Sequence, residues 1–411
     1  MTSAEPQSGG EQPDSPYAWR RLATALGLST IGGIGLWSVV VSLPAIEAEF
    51  GVDRGGASIP YTATMIGFAI GGVLMGRFTD RFGVRAPILL GTLSLGLGYI
   101  AAASAQSMWQ FILAQAVLIG MFGSSSTFGP LVADITHWFV KRRGVAVAIV
   151  ASGNYLAGTI WPPILQYAIE TVGWRTAHVG IGIFCTVTML PLALSLGRQR
   201  IVEESNVTAS GRHLMAKMNI SPSKVQALLV VAGMACCIAM AMPQVHIVAY
   251  CGDLGYGVAR GAEMLSLMLG FGIISRLVSG VIADRIGGVR TLLLGSTLQF
   301  MALLFYIPFD GLASLYVVSA FFGLAQGGIV PSYALIVREY FPAREAGARV
   351  SLVLMTTIVG MAIGGWMSGA IYDLTGSYQV AFLNGIAWNL VNMSIAFWLL
   401  AGRNRPKPAV V

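Results

Sequence analysis

Apolar residues run along this chain in long blocks, without the short alternation of a half-buried strand. Separated by charged or turn-rich breaks, the blocks fall near residues 22–46, 57–78, 86–105, 108–133, 144–169 and 175–197. A second set falls near 225–250, 261–283, 290–308, 312–337, 346–371 and 378–401. Each is long enough to cross a hydrocarbon layer about 30 Å thick, which takes roughly 20 apolar residues per helix. Inside that layer a segment must satisfy its own backbone polar groups, so the blocks read as helices. The pattern predicts an all-α membrane protein with twelve transmembrane helices. Its expected parts are a disordered cytoplasmic tail over 1–19, a six-helix bundle over 20–197 and a cytoplasmic linker over 198–224. A second six-helix bundle over 225–401 and a short tail over 402–411 complete it.

Composition supports that reading. Of 411 residues 55% are hydrophobic and 10% charged, whereas a soluble domain carries roughly 25% charged residues. The 51 glycines suit helices that approach closely in lipid. The four cysteines, Cys185, Cys236, Cys237 and Cys251, have neither metal-binding nor disulfide spacing. The first 18 residues are polar and acidic and lack a basic n-region, so no cleavable signal peptide is expected.

Charge sets the expected orientation. With both termini and every even-numbered loop on one side, that side and its helix ends hold 21 of the 25 basic residues. The other side has only Arg54, Arg175 and Arg260. Cytoplasmic loops carry the excess of Lys and Arg, so both termini are expected to be cytoplasmic, in a cell inner membrane. The net charge of +7 then arises from topology and gives no reason to expect nucleic acid as a partner.

The two sets of blocks repeat one another. Gly76-x-x-x-Asp80-Arg81-x-Gly83 recurs as Gly280-x-x-x-Asp284-Arg285-x-Gly287, an offset of 204 residues (284 − 80). Trp138-Phe139 and Arg142 match Tyr340-Phe341 and Arg344 at an offset of 202 (340 − 138). Glu170 to Gly173 match Asp373 to Gly376 at 203 (376 − 173). Duplication of a six-helix unit predicts two pseudo-symmetric bundles with a solute site between them and alternating access by rocking of the halves.

On these residues the chain resembles the major facilitator superfamily over roughly residues 20–400; the doubled Gly-x-x-x-Asp-Arg-x-Gly loop is that superfamily's signature. Residues 138–153, Trp-Phe-x-Lys-Arg-Arg followed by Ser152-Gly153, resemble the fifth-helix motif of the monocarboxylate transporter family. The chain departs from that family's pattern at Val145 and Ala148, and at Gly33 to Trp37 it has no acidic first-helix motif. The resemblance implies that Gly76, Asp80, Arg81, Gly280, Asp284 and Arg285 form a charge latch joining the halves in the outward-open state. Physically, an acid at a helix end can pair with arginine or accept amide hydrogens. Arg85, Arg290 and the Lys141-Arg142-Arg143 run read as headgroup anchors.

Arg276 lies well inside the eighth block, where the repeat has Gly72, so it is not shared scaffold. A charge there costs roughly 2.5–3.5 kcal/mol on insertion scales and belongs in a cavity or with a partner. A guanidinium matches a carboxylate in a two-point fork, and the resemblance likewise implies a substrate-binding arginine in the eighth helix. The alternative is a structural pairing with helix carbonyls or Asp134. His246 could take a co-transported proton or bond a neighbouring helix as a neutral ring. The remaining polar candidates at central depth are Ser124 to Thr127, Asn154, Tyr155, Gln326, Ser332, Tyr333, Thr356 and Thr357, of which Ser125, Ser126, Asn154, Gln326, Tyr333 and Thr357 are expected to meet the substrate. Around them Phe68, Trp37, Phe271 and Met264 would make a mostly apolar cavity.

The expected function is proton-coupled symport of a small, lactate-like monocarboxylate. An exchanger of the oxalate or formate type on the same fold is the alternative, and a non-transporting solute sensor is the reading from another class. No phosphate loop, zinc motif or triad suggests an enzyme. Expected partners are a small carboxylate, a proton and the lipid bilayer, with no cofactor and no second subunit.

Overall fold

The computed structural model describes residues 14–139, 142–196, 221–341 and 343–403. The expected tails before residue 14 and after 403, Lys141 and the centre of the linker lie outside the described residues. Twelve helices are long and apolar enough to cross a membrane, numbered here α1 (Pro16–Phe50), α2 (Arg54–Phe82), α3 (Arg85–Ala103), α4 (Met108–Trp138), α5 (Val145–Val172) and α6 (Trp174–Ser195). The second half contributes α7 (Pro222–Asp253), α8 (Val258–Ile286), α9 (Gly288–Phe305), α10 (Leu312–Tyr340), α11 (Arg349–Thr375) and α12 (Tyr378–Gly402).

Two boundaries move from the expectation. Helix α1 starts at Pro16, inside the segment read as tail, with the Ser15 hydroxyl accepting from the Ala18 amide at 3.3 Å. Helix α7 starts at Pro222, inside the segment read as linker, where Ser221 is the N-cap. In both, a Ser-Pro pair starts the helix by satisfying one orphan amide and removing another. Arg20 and Arg21 looked like the edge of the membrane. Arg21 is in fact buried, its Nε 2.7 Å and Nη2 2.9 Å from the carboxylate oxygens of Asp134 on α4.

The repeat is visible in the backbone. Gly83 and Gly287 close the two Gly-x-x-x-Asp-Arg-x-Gly segments at φ 76° and φ 85°, a region open to glycine because it has no Cβ. Local differences break the symmetry, the largest of them in α4. In α4, Ala114–Gly123 is a π-helix followed by a 3-10 turn at Ser124–Thr127, whereas α10 is α-helical on both sides of Gly327-Gly328. The Ser124 hydroxyl of that turn donates to the Gly32 carbonyl at 3.0 Å, beside the break in α1 at Gly33.

The halves meet along α2–α11 and α5–α8, with α1 reaching α7. Glycines make these contacts close: a Cβ on Gly369 of α11 would stand 2.8 Å from the Arg54 carbonyl oxygen, and one on Gly158 of α5 would stand 2.2 Å from Leu269 of α8. These contacts lie toward the face opposite the termini. Toward the terminus-bearing face, Gly76 and Gly280 have open space around them. The close glycine contacts between the halves are thus those of the α2–α11 and α5–α8 seams.

Inside the first half, Gly67 shows how little slack remains. A Cβ there would stand 2.0 Å from the Ala116 carbonyl oxygen, which belongs to a backbone that cannot rotate away. Gly67→Ala is expected to destabilise the protein by about 1–3 kcal/mol, the usual range for overpacking. A lower thermal midpoint in detergent, read by intrinsic tryptophan fluorescence, checks it; an unchanged midpoint would show that α2 and α4 separate freely.

Candidate functional site

Helix α8 brings Arg276 to the seam between the halves. Its Nη1 donates to the Ala151 carbonyl of α5 at 3.0 Å, and its Nε makes a longer contact of 3.5 Å to the Gly327 carbonyl of α10. The guanidinium carbon sits 4.4 Å from the centre of the Tyr155 ring, close enough for a cation–π contact. No carboxylate pairs with it among the described residues. Asp134, the alternative partner considered above, is taken by Arg21. A guanidinium has five N–H donors, so two carbonyls leave most of its capacity unused.

Glycine makes this crowding possible. A Cβ on Gly327 would stand 2.2 Å from the Gly272 carbonyl oxygen and 2.8 Å from the Arg276 amide. A Cβ on Gly272 would stand 2.5 Å from the Tyr155 ring and 3.8 Å from Gln326 Nε2. Tyr155 and Gln326 therefore meet one helical turn from Arg276. The Gln326 Oε1 accepts from Gln244 of α7, while its Nε2 is buried with no partner. On the other side, Trp37 of α1 donates its indole N–H to the Asn154 carbonyl at 3.1 Å and to its side-chain oxygen at 3.3 Å.

The cluster around Arg276 thus draws Tyr155 from the first half and Gln244 and Gln326 from the second, with Trp37 and Asn154 paired nearby at the α1–α5 contact. It contains one fixed cation and an unsatisfied amide donor but no acid, so its unmet chemistry is that of an anion's acceptor oxygens. A separate groove of about 450 Å³ flanks the α5–α8 seam, lined by Thr159, Glu263, Ser266, Phe271 and Tyr316, and does not include Arg276.

Arg276 and Gln326 both lie beside Gly272 and Gly327, whereas Asn154 turns to Trp37 and Gly33 of α1, and five other candidates join neither group. Ser125 bonds the Met121 carbonyl at 2.5 Å and faces Gly71 of α2. Ser126 bonds the Gly123 carbonyl at 2.6 Å and faces Gly91 of α3. Tyr333 donates to Asn392 of α12 at 2.8 Å inside the second half. Thr357 bonds the Leu354 carbonyl at 2.6 Å and packs on Gly233 of α7. Hydroxyls in apolar surroundings readily bond their own helix, which removes the need for a cavity. His246 stands near the opposite face, bonded to Tyr378 and the Gly365 carbonyl. The latch residues Asp80 and Asp284 are exposed and make no ion pair among the described residues.

Sequence reasoning named Tyr155 beside Asn154 but did not single out Gln244. Nothing in the sequence marks Gln244.

The sequence profile of the Major Facilitator Superfamily matches residues 25–316 and 309–411. The chain belongs to this superfamily. Members are transporters and not enzymes, so this chain is a multi-pass transporter of a small molecule. Among relatives of this superfamily member, "Monocarboxylate transporter 13" of Bos taurus is 24% identical over 405 residues, covering 95% of this chain and 91% of its own. "Riboflavin transporter MCH5" of Saccharomyces cerevisiae is 27% identical over 334 residues, covering 75% and 63%. The crystal structure of the nucleoside transporter NupG superposes with a TM-score of 0.73 at 12% identity, covering 94% of this chain and 99% of that one. That last likeness concerns the fold alone.

Proposed function

We propose that this transporter carries a small monocarboxylate together with a proton by alternating access, as a monomer in a cell inner membrane with both termini in the cytoplasm. One observation carries the substrate class: Arg276 stands at the seam between the halves without an acidic partner among the described residues. A carboxylate would fork onto its free N–H groups, and the buried Gln326 amide would donate a further hydrogen bond. With Trp37 and Tyr155 as apolar walls, the site suits a short acid with a small apolar tail. A dicarboxylate would need a second deep cation, and none adjoins Arg276 among the described residues. No titratable carboxyl side chain touches Arg276 among the described residues, so the substrate's own carboxyl group is the nearest proton acceptor, with His246 the proton site of the far end. The likeness to monocarboxylate transporter 13 supports the substrate class, while the riboflavin transporter shows that relatives of similar identity carry other solutes.

The test is uptake into liposomes of labelled acetate, lactate, pyruvate, benzoate and oxalate under an inward proton gradient. Accumulation of one or more monocarboxylates above the level of the neutral amide analogues, collapsing with a protonophore, is the expected result. Equal uptake with and without the gradient would remove proton symport and leave exchange. Failure of every carboxylate by a folded protein would remove the substrate class.

A further inference from the structure

At the face opposite the termini, which is the outer face in the orientation proposed above, one arginine joins the halves. Arg54 opens α2 and is buried, yet it makes contacts in several directions. Its side chain lies 2.7 Å from Glu47 of α1, 3.1 Å from Asp253 at the end of α7 and 2.7 Å from the Tyr378 hydroxyl of α12. Its backbone amide and that of Gly55 donate to the Asp373 carboxylate of α11 at 2.9 and 2.6 Å. An acid from the second half thus caps a helix of the first, where the helix dipole favours it. Three helices of the second half close on this residue, making an outer gate.

Just below it, His246 is fully buried. Its Nε2 lies 2.8 Å from the Gly365 carbonyl of α11 and its Nδ1 lies 3.1 Å from the Tyr378 hydroxyl. A carbonyl only accepts, so Nε2 carries the proton. The Tyr378 hydroxyl accepts from Arg54 and donates its own proton to Nδ1. The neutral ring therefore satisfies every group in the chain Arg54–Tyr378–His246–Gly365. A second proton on Nδ1 would have to point at the Tyr378 oxygen. That oxygen would then face two cationic donors, and the Tyr378 proton would lose its acceptor.

We infer that His246 is a proton-binding site wired through Tyr378 to the outer gate: the neutral ring holds the gate closed and the protonated ring releases it. Other titratable or charged groups facing this region are Arg54 and Tyr61 on α2, Glu47 on α1, Tyr250 and Asp253 on α7, Tyr372 and Asp373 on α11, and Tyr378 on α12. Among them only Tyr378 bonds the ring; the three carboxylates bond Arg54. External acid thus biases the carrier toward the outward-open state, and the ring gives its proton back as the gate closes. This holds whatever solute is carried and is independent of the role of Arg276.

The test needs no solute. Spin labels at Gln106→Cys and Ala313→Cys, exposed positions at the outer ends of the two halves, report gate opening in liposomes; the native cysteines are all buried. Between pH of about 8 and about 5.5, the window in which histidine changes charge, the ratio of long to short distances is expected to rise by about 5-fold or more. Glutamine offers the same donor and acceptor without titrating, so His246→Gln should keep the short distance at both values. Tyr378→Phe, which cuts the link without removing the ring, should lose the pH response. A wild-type ratio that does not change with pH would overturn the inference. So would a shift that survives in His246→Gln, which would assign the response to Glu47, Asp253 or Asp373.

Discussion

Arg276→Gln is expected to abolish measurable uptake of the transported monocarboxylate while sparing the folded protein. Removing one member of a desolvated charge pair costs about 2–5 kcal/mol, which corresponds to a loss of roughly 30-fold to several thousand-fold in kcat/KM. Glutamine can still donate to the Ala151 carbonyl, so the α5–α8 contact that Arg276 makes at 3.0 Å has a substitute. The thermal midpoint should therefore move little. Arg276→Lys should recover part of the activity, since lysine keeps the charge but loses the fork and the stacking on Tyr155. A neutral amide analogue of the same acid gives the discriminating control. If its slow uptake falls as much as that of the acid, Arg276 supports the seam and does not hold the carboxylate.

The largest expected effect on stability lies elsewhere, at Arg21 and Asp134. The side chains are 1% and 0% exposed and paired at 2.7 Å, and the guanidinium also lies 4.9 Å from the centre of the Trp138 ring. Arg21→Met strands the Asp134 carboxylate in the first bundle and is expected to destabilise it by about 3–5 kcal/mol. Arg21→Met with Asp134→Leu should recover most of that, because an apolar pair of similar volume can replace a buried ion pair at little cost. Thermal unfolding in detergent reads both. A double variant no more stable than the single would shift the weight from charge to the packing of α1 around Trp138.

The legible part of the sequence reflects the demands that lipid places on helices. Length and apolarity give the number of spans, and a repeated loop gives the two halves. Arg276 stood out because a deep cation has no cheap place to go. Depth along a helix is legible in this way, but rotation about its axis is not. Ser125 and Ser126 sit at the right depth and point at α2 and α3. Tyr333 sits at the right depth and points at Asn392. The hydropathy of a buried helix is similar on every side, so the chain gives little sign of which side meets the cavity. Arg54 was read as a rare basic residue on the sparsely charged face. Its importance comes from Glu47, Asp253 and Asp373, which lie far from one another along the chain and whose meeting only the fold reveals.

The wide coil in α4 carries a record of how the two halves diverged. Helices α4 and α10 begin 204 residues apart (312 − 108) and end 202 apart (340 − 138), so the first-half helix is two residues longer than its counterpart. Each turn that bonds i to i+5 instead of i to i+4 takes up one added residue without rotating the remainder of the helix, and Ala114–Gly123 is long enough for two such turns. The added pair is thus absorbed between Leu113 and Ser124. Beyond the coil the two halves match again in sequence, Trp138-Phe139 against Tyr340-Phe341. A deletion of two residues from this stretch should restore an ordinary α-helix without moving Asp134 away from Arg21, whereas the same deletion anywhere beyond Thr127 would turn Asp134 toward a different neighbour.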